Sequence, residues 1–442
     1  MKNALLFSLV FASFLGAAAS VPLQNRSLDQ LAEEYVKLAL EVGAYAPGYI
    51  DAYYGPESWV VKHDDRTLRR GFPAAEFRKK AAGILKGLDV AAQNKLSPLE
   101  QLRIEFLRKQ MVALNAEIDV LAGKKFAFDK ESSLFYDAVA PAHAREEFAK
   151  TIAALEAALP GAGSLQERLK AFKKEFVIPA DKLPVVFAAA IAECRRRTLA
   201  HIVLPAHESF KAEYVQGKPW GAYNWYKGNA FSVIEVNTDL PINIDAPLRL
   251  AAHEGYPGHH VYNALLEQKL AKGKGWVEFT VYPLFSPQSL IAEGTANNGM
   301  DLLFPGNERL DFETKVLYPL AGLDPQHAGK FAKVQTLLAG LRYAENEAAR
   351  GYLDGKITRE QALRWMTRYA LESRERAAKS VDFWDTYRSY VINYNLGEDI
   401  VRAYIEKTAG PGAPLDRKWQ VFYEILTTPR TPSKLSGSGG QQ

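Results

Sequence analysis

The sequence predicts a mainly α-helical protein with one small β element set just before a histidine-rich helix. Three observations carry this expectation. Apolar residues recur at three- and four-residue intervals along most of the 442 residues, the repeat of amphipathic helices. One stretch, PWGAYNWYKGNAFSVIEVNTDLPI at 219–242, instead concentrates aromatic and β-branched residues between Gly and Pro. It reads as loop plus one or two short strands, with Phe231 to Val236 the best of them. Soon after it, HEGYPGHH at 253–260 packs three of the chain's eight histidines into eight positions.

Taken in order, the chain opens with Lys2, then the apolar run ALLFSLVFASFLGAAA, ending in the small residues Ala17-Ala18-Ala19. That is the layout of a secretory signal peptide over 1–19, cut before Ser20 and too short for a membrane-spanning helix. The expectation is an exported protein, periplasmic or extracellular, with no stable membrane insertion after signal removal. No cysteine near the cut can carry a lipid. An N-terminal helical lobe follows over 20–215. In it Ser27 caps SLDQLAEEYVKLALEVG, and Ser97-Pro98, with Glu100 in the capping-box position, opens SPLEQLRIEFLRKQMVALNAEIDVLAG. A second helical lobe over 216–430 contains the histidines, and the Ser/Gly-rich TPSKLSGSGGQQ at 431–442 is expected to be a flexible tail.

Composition removes several classes. Cys194, the single cysteine, cannot form an internal disulfide, so the fold stands on its core. A net charge of +4 is small for this length. The basic runs at 78–80 and 195–197 fall within helical patterns and read as solvated faces, and no nucleic-acid motif is present.

The histidine segment departs from the familiar H-E-x-x-H spacing of zinc hydrolases. Asp245 is a plausible N-cap, with Pro247 in the first turn. On a straight helix His259 lies about 120° around from His253, and His260 about 10.5 Å along the axis. Neither suits ligands that must approach within about 3–3.5 Å of each other around a zinc ion. Pro257 alters this, because it has no N–H for the His253 carbonyl and its ring presses on that carbonyl. A bulged turn brings His259 towards the position of an i+4 histidine, and Gly258 leaves space where such a turn crowds. A third ligand is available in SLIAEGTANNGMDLLF, where Glu293 sits among Ile291, Ala292 and Ala296. A surface glutamate or a buried salt bridge are the other readings of Glu293, and His260 is the rival of His259.

HEGYPGHH followed by EGTA resembles a bacterial family catalogued as domain of unknown function 885, whose pattern is H-E-x-x-P-G-H-H, then E-G-W-A. REQALRWM at 359–366, YRSYVINYNLG at 387–397 and PGYIDAYYGP at 47–56 extend the likeness. Thr295 stands where the family has Trp, and its Pro-Gly-Gln and later Asp and His are missing. The resemblance implies a neurolysin-like multi-helix metallopeptidase architecture and a zinc ion (Zn2+) held by His253, His259 and Glu293. On that reading Glu254 is the general base, Tyr394 stabilises the oxyanion and Arg388 pairs with a substrate carboxylate. The substrate is a peptide or a small amide. The alternatives are a zinc amidase and a zinc- or peptide-binding protein that has lost hydrolysis.

Overall fold

The computed structural model describes residues 26–62, 71–218 and 220–437, so the expected signal peptide lies outside the described residues. The protein is mainly helical, with five short strands among the described residues. The Leu28–Gly43 and Pro98–Leu121 helices start where their capping residues predict. Ser27 and Ser97 each accept from the backbone N–H three residues on, and Gln30 and Glu100 return the bond. Their buried faces, with Leu31, Tyr35 and Val36 on the first and Leu107, Met111 and Leu114 on the second, join one buried cluster. That cluster continues to Leu435, so apolar packing runs unbroken past residue 215.

Two small sheets position the site. In the first, β1 (Ile50–Tyr53) pairs antiparallel with β5 (Val281–Pro283). The second has the order β2-β4-β3, with β2 (Ser209–Val215) parallel and β3 (Ala222–Tyr226) antiparallel to the central β4 (Phe231–Asn237). The expected Phe231–Val236 strand is therefore central, and it buries Ser232, Ile234 and Val236 on one face. The sequence reading did not anticipate β1, β2 or β5. β1 and β5 are too short to show an apolar alternation and pair far along the chain, whereas β2 does alternate, Phe210, Ala212 and Tyr214 against Ser209, Lys211 and Glu213, a signal the sequence reading passed over.

The expected flexible tail requires correction. Thr431, Pro432, Ser433 and Leu435 are buried, and Pro432–Ser436 forms a short helix against the Ile392–Ala409 helix. Ser433 N–H donates to Asp137 at 3.0 Å. Two apolar residues within a polar run were enough to seat it, and residues 438–442 lie outside the described residues. Among the described residues no helix is long and apolar enough to cross a membrane.

The Pro287–Leu303 and Ile392–Ala409 helices cross in contact at two glycines. A Cβ on Gly294 would lie 2.3 Å from the Gly397 carbonyl oxygen, and one on Gly397 would lie 2.6 Å from that of Leu290. Only hydrogen fits at this crossing. Gly294→Ala should therefore lower stability by about 1–3 kcal/mol, the usual cost of overpacking a rigid contact. Urea unfolding checks this, and an unchanged midpoint would show that the helices can part freely.

Candidate metal centre

The site is built on an interrupted helix. Ala246–Leu250 is regular, but the next turn is wide. The Tyr256 N–H donates to Ala251, five residues back, and the Gly258 N–H donates to Ala252, six back, each at 2.9 Å. Pro257, whose peptide bond to Tyr256 is cis, gives no bond, and a new helix runs from His259 to Leu266. Gly258 is required here, since a Cβ would lie 1.8 Å from the His253 carbonyl oxygen. Asp245 occupies the N-cap position that the sequence predicts, but its side chain makes no capping bond. Its own backbone is already helical, so its carboxylate does not cap, and it accepts from Gln335 at 2.9 Å instead.

The wide turn brings His253 and His259 together, with Nε2 atoms 3.2 Å apart. Glu293 Oε2 approaches them from the Pro287–Leu303 helix, 3.3 Å from His253 Nε2 and 3.7 Å from His259 Nε2. Ligand atoms about 2.0–2.2 Å from one zinc ion are separated by about this much. Glu293 Oε1 accepts from the Tyr390 hydroxyl at 2.9 Å, whereas the buried Oε2 has no hydrogen-bond donor. A buried carboxylate oxygen left without a donor is costly, and a cation between the three atoms removes the cost. The donor set fits a divalent metal.

The surroundings hold His253 in ligand form. Its Nδ1 is 2.9 Å from Asn297 Oδ1, and Asn297 Nδ2 donates to the Tyr394 carbonyl at 2.7 Å. With the amide so oriented, Oδ1 must accept from Nδ1–H, which leaves the Nε2 lone pair facing the site. Burial pushes the His259 imidazole down to about 4, so it stays neutral. Burial also pulls His253 down, but Glu293 and Glu254 outweigh it and raise the group. Glu293 is pushed up by burial, yet His253, His259 and the Tyr390 hydroxyl hold it below the usual carboxylate range. Without metal, two carboxylates thus favour a proton at the place a cation would take.

These atoms open onto a cleft of about 860 Å³, counting the space at its open mouth. Glu254 lines it, with its carboxyl raised by burial to about 7. Its peptide carbonyl accepts from Asn224 Nδ2 at 2.7 Å, tying edge strand β3 to the wide turn. Tyr394 stands on the cleft wall, 38% exposed. Thr295, where the resembling family has Trp, is buried outside the cleft and bonds back to its own helix at Ile291 and Ala292.

Two sequence readings meet a different geometry. Arg388 does not line the cleft. Its Nε donates to the buried Glu131 at 2.6 Å, because the chain reverses there with φ of 50° into a short 3-10 turn. A guanidinium so engaged is not the free partner of a substrate carboxylate. His260 is the second. Fully buried, it places Nδ1 2.9 Å from Ser232 Oγ and Nε2 3.1 Å from Glu208 Oε2, away from the other two histidines. Burial raises Glu208, but bonds from His260, Tyr256 and Arg195 outweigh it and bring it to about 2. Asn297, Tyr390, Asn224 and Asp51 were missed. The first lies one turn after Glu293 in the ANN of its motif, and Tyr390 shares a stripe with the chosen Tyr394, but only the fold shows which reaches the carboxylate.

No family model matches the chain, and no curated protein matches it. A solved structure from Colwellia psychrerythraea, a protein described as a lipoprotein, shares the fold, with a TM-score of 0.51 at 15% identity over 94% of this chain and 77% of that one. The M32 carboxypeptidase from Deinococcus radiodurans R1 aligns with a TM-score of 0.49 at 15% identity, over 93% of this chain and 95% of that one.

The geometry separates the three histidines experimentally. His253→Ala and His259→Ala should each abolish metal retention by elemental analysis. His260→Ala should retain the metal but lose about 1–3 kcal/mol of stability, because it leaves buried Ser232 without a partner and removes one of the bonds to Glu208. Loss of metal only in the His260 variant would reverse the assignment.

Proposed function

We propose that the chain is an exported zinc-dependent peptidase of the kind its HEGYPGHH and EGTA segments resemble. The observation that carries this reading is the convergence of His253 Nε2, His259 Nε2 and the donorless Glu293 Oε2 beside a carboxylate, Glu254, that is not one of the three. Two neutral imidazoles and one carboxylate are a set that zinc favours, leaving one position open. When bound, the metal supplies the positive charge that polarises a scissile carbonyl and lowers the pKa of water.

The chain's own residues supply the rest. The Glu254 carboxylate takes a proton from water as the oxygen adds to the carbonyl carbon, then returns it to the leaving nitrogen as the C–N bond breaks. In the metal-free site burial raises this group to about 7, and a cation bound nearby would lower it and favour the carboxylate that accepts the proton. Tyr394, facing the cleft, is the donor for the oxyanion. Tyr390 is a positioning residue, since its hydroxyl is already given to Glu293. The sheet edge β3, contributing Ala222, Tyr223 and Asn224 to the cleft, suits an extended peptide better than a small amide.

Paired variants test the reading. Glu254→Gln should keep its zinc and lose about 10²–10⁴ in turnover, the usual worth of general acid–base help. Glu293→Gln should lose zinc first and activity as a consequence. Occupancy and turnover are measured for both on one peptide substrate. Near-normal turnover by zinc-loaded Glu254→Gln would refute the mechanism.

A further inference from the structure

The cleft contains a carboxylate for which the reaction above has no use. Asp51 lies on β1 where the pairing with β5 slips. Ile50 faces Pro283 and Ala52 faces Tyr282, so Asp51 is the extra residue of a β-bulge. Bulges re-aim a side chain, and this one turns the carboxylate into the cleft. The Tyr223 hydroxyl donates to its Oδ1, and it has no ion pair among the described residues. Lys227, whose charge reaches it, sits over the Trp225 ring instead. Burial raises the Asp51 carboxyl to about 6, with the Tyr223 bond opposing, so it is charged at neutral pH.

Aromatic rings line the cleft into which this carboxylate turns. Tyr223 packs 5.1 Å from Trp220 between ring centroids, and Trp220, Tyr223, Tyr282, Phe383 and Tyr387 all line the cleft. The lining includes no lysine or arginine among the described residues. An anion walled by aromatic faces is a site for an organic cation, which gains both the charge and the ring quadrupoles. The same cleft offers no cation for a free substrate carboxylate.

We infer that Asp51, turned inward by the β1 bulge and bonded by Tyr223 in a cleft lined with aromatic rings, is the specificity residue of the cleft and anchors a protonated amine of the substrate. The amine is either the free N-terminus of a peptide or a basic side chain, which share this chemistry. The assignment deepens the peptidase reading and rests on it for the word substrate, but the binding itself does not require hydrolysis.

The test uses three C-terminally amidated alanine tetrapeptides: one with a free N-terminus, one N-acetylated, and one N-acetylated with a single lysine. Each is titrated calorimetrically into the full-length protein carrying Glu254→Gln to prevent turnover, with and without Asp51→Asn. One or both charged peptides should bind about 10–100-fold more tightly than the acetylated neutral one, the range of a charge-assisted contact. Which one does so identifies the source of the amine. Asp51→Asn should collapse the preference and leave the neutral peptide unchanged, whereas a merely structural role would weaken all three alike. Asp51→Ser serves as a second neutral variant should the first fail to fold. Equal binding of all three, binding of none, or a preference that survives the substitution overturns the inference. Cleavage of the same peptides by the unsubstituted protein keeps the two readings apart. Hydrolysis without preference removes the role of Asp51 alone, and preference without hydrolysis removes the peptidase.

Discussion

The arrangement of this centre depends on a backbone bond that cannot form. Pro257 has no N–H to give, so the helix that carries His253 cannot pass straight to His259. The wide turn that results places six residues where a regular spacing places four, and it needs room on every side. Gly258 provides it against the His253 carbonyl. Gly299, on the neighbouring helix, provides it against the proline ring, which a Cβ there would meet at 2.8 Å. Asn224 takes up the Glu254 carbonyl within the disturbed stretch. Each of these residues would be unremarkable beside an unbroken helix.

Glu293, the proposed third ligand, is placed by a different device. Close contact of two helices at Gly294 and Gly397 sets the Glu293 backbone, and the partner helix with the turn before it then supplies what the carboxylate and its neighbour require. Tyr390 gives its hydroxyl to Glu293, and the Tyr394 carbonyl orients the Asn297 amide that orients His253. One helix pair thus fixes the Glu293 carboxylate and the tautomer of His253. This is how a mostly apolar interior can keep a carboxylate and two imidazoles in register.

The sequence disclosed the helices through their caps and apolar periods, and Ser27 and Ser97 act as their spacing implies. It also offered His253 and His259, with His260 as the rival, because a proline inside a helical pattern has a determinate effect on the bond four residues back, whereas the selection of Glu293 came with the resemblance to a known family. What it concealed depends on distance along the chain. The strands β1 and β5 are four and three residues long and meet across more than two hundred others, so no local pattern announces them. Arg388 looked available because nothing near it in sequence shows Glu131, 257 positions away. His260 and His259 are adjacent, and only the Glu208 and Ser232 contacts of His260 show that it faces the other way.

The β1–β5 ribbon has one more implication, for how the cleft is held. A two-stranded pairing of this length is marginal by itself, and here it is interrupted by its bulge. What holds it is burial, since Ala52, Val281 and Tyr282 belong to the same buried cluster as the helices that carry the histidines and Glu293. The wall that presents Asp51 is thereby tied to the packing that fixes His253, His259 and Glu293, so a change that loosens one is felt by the other.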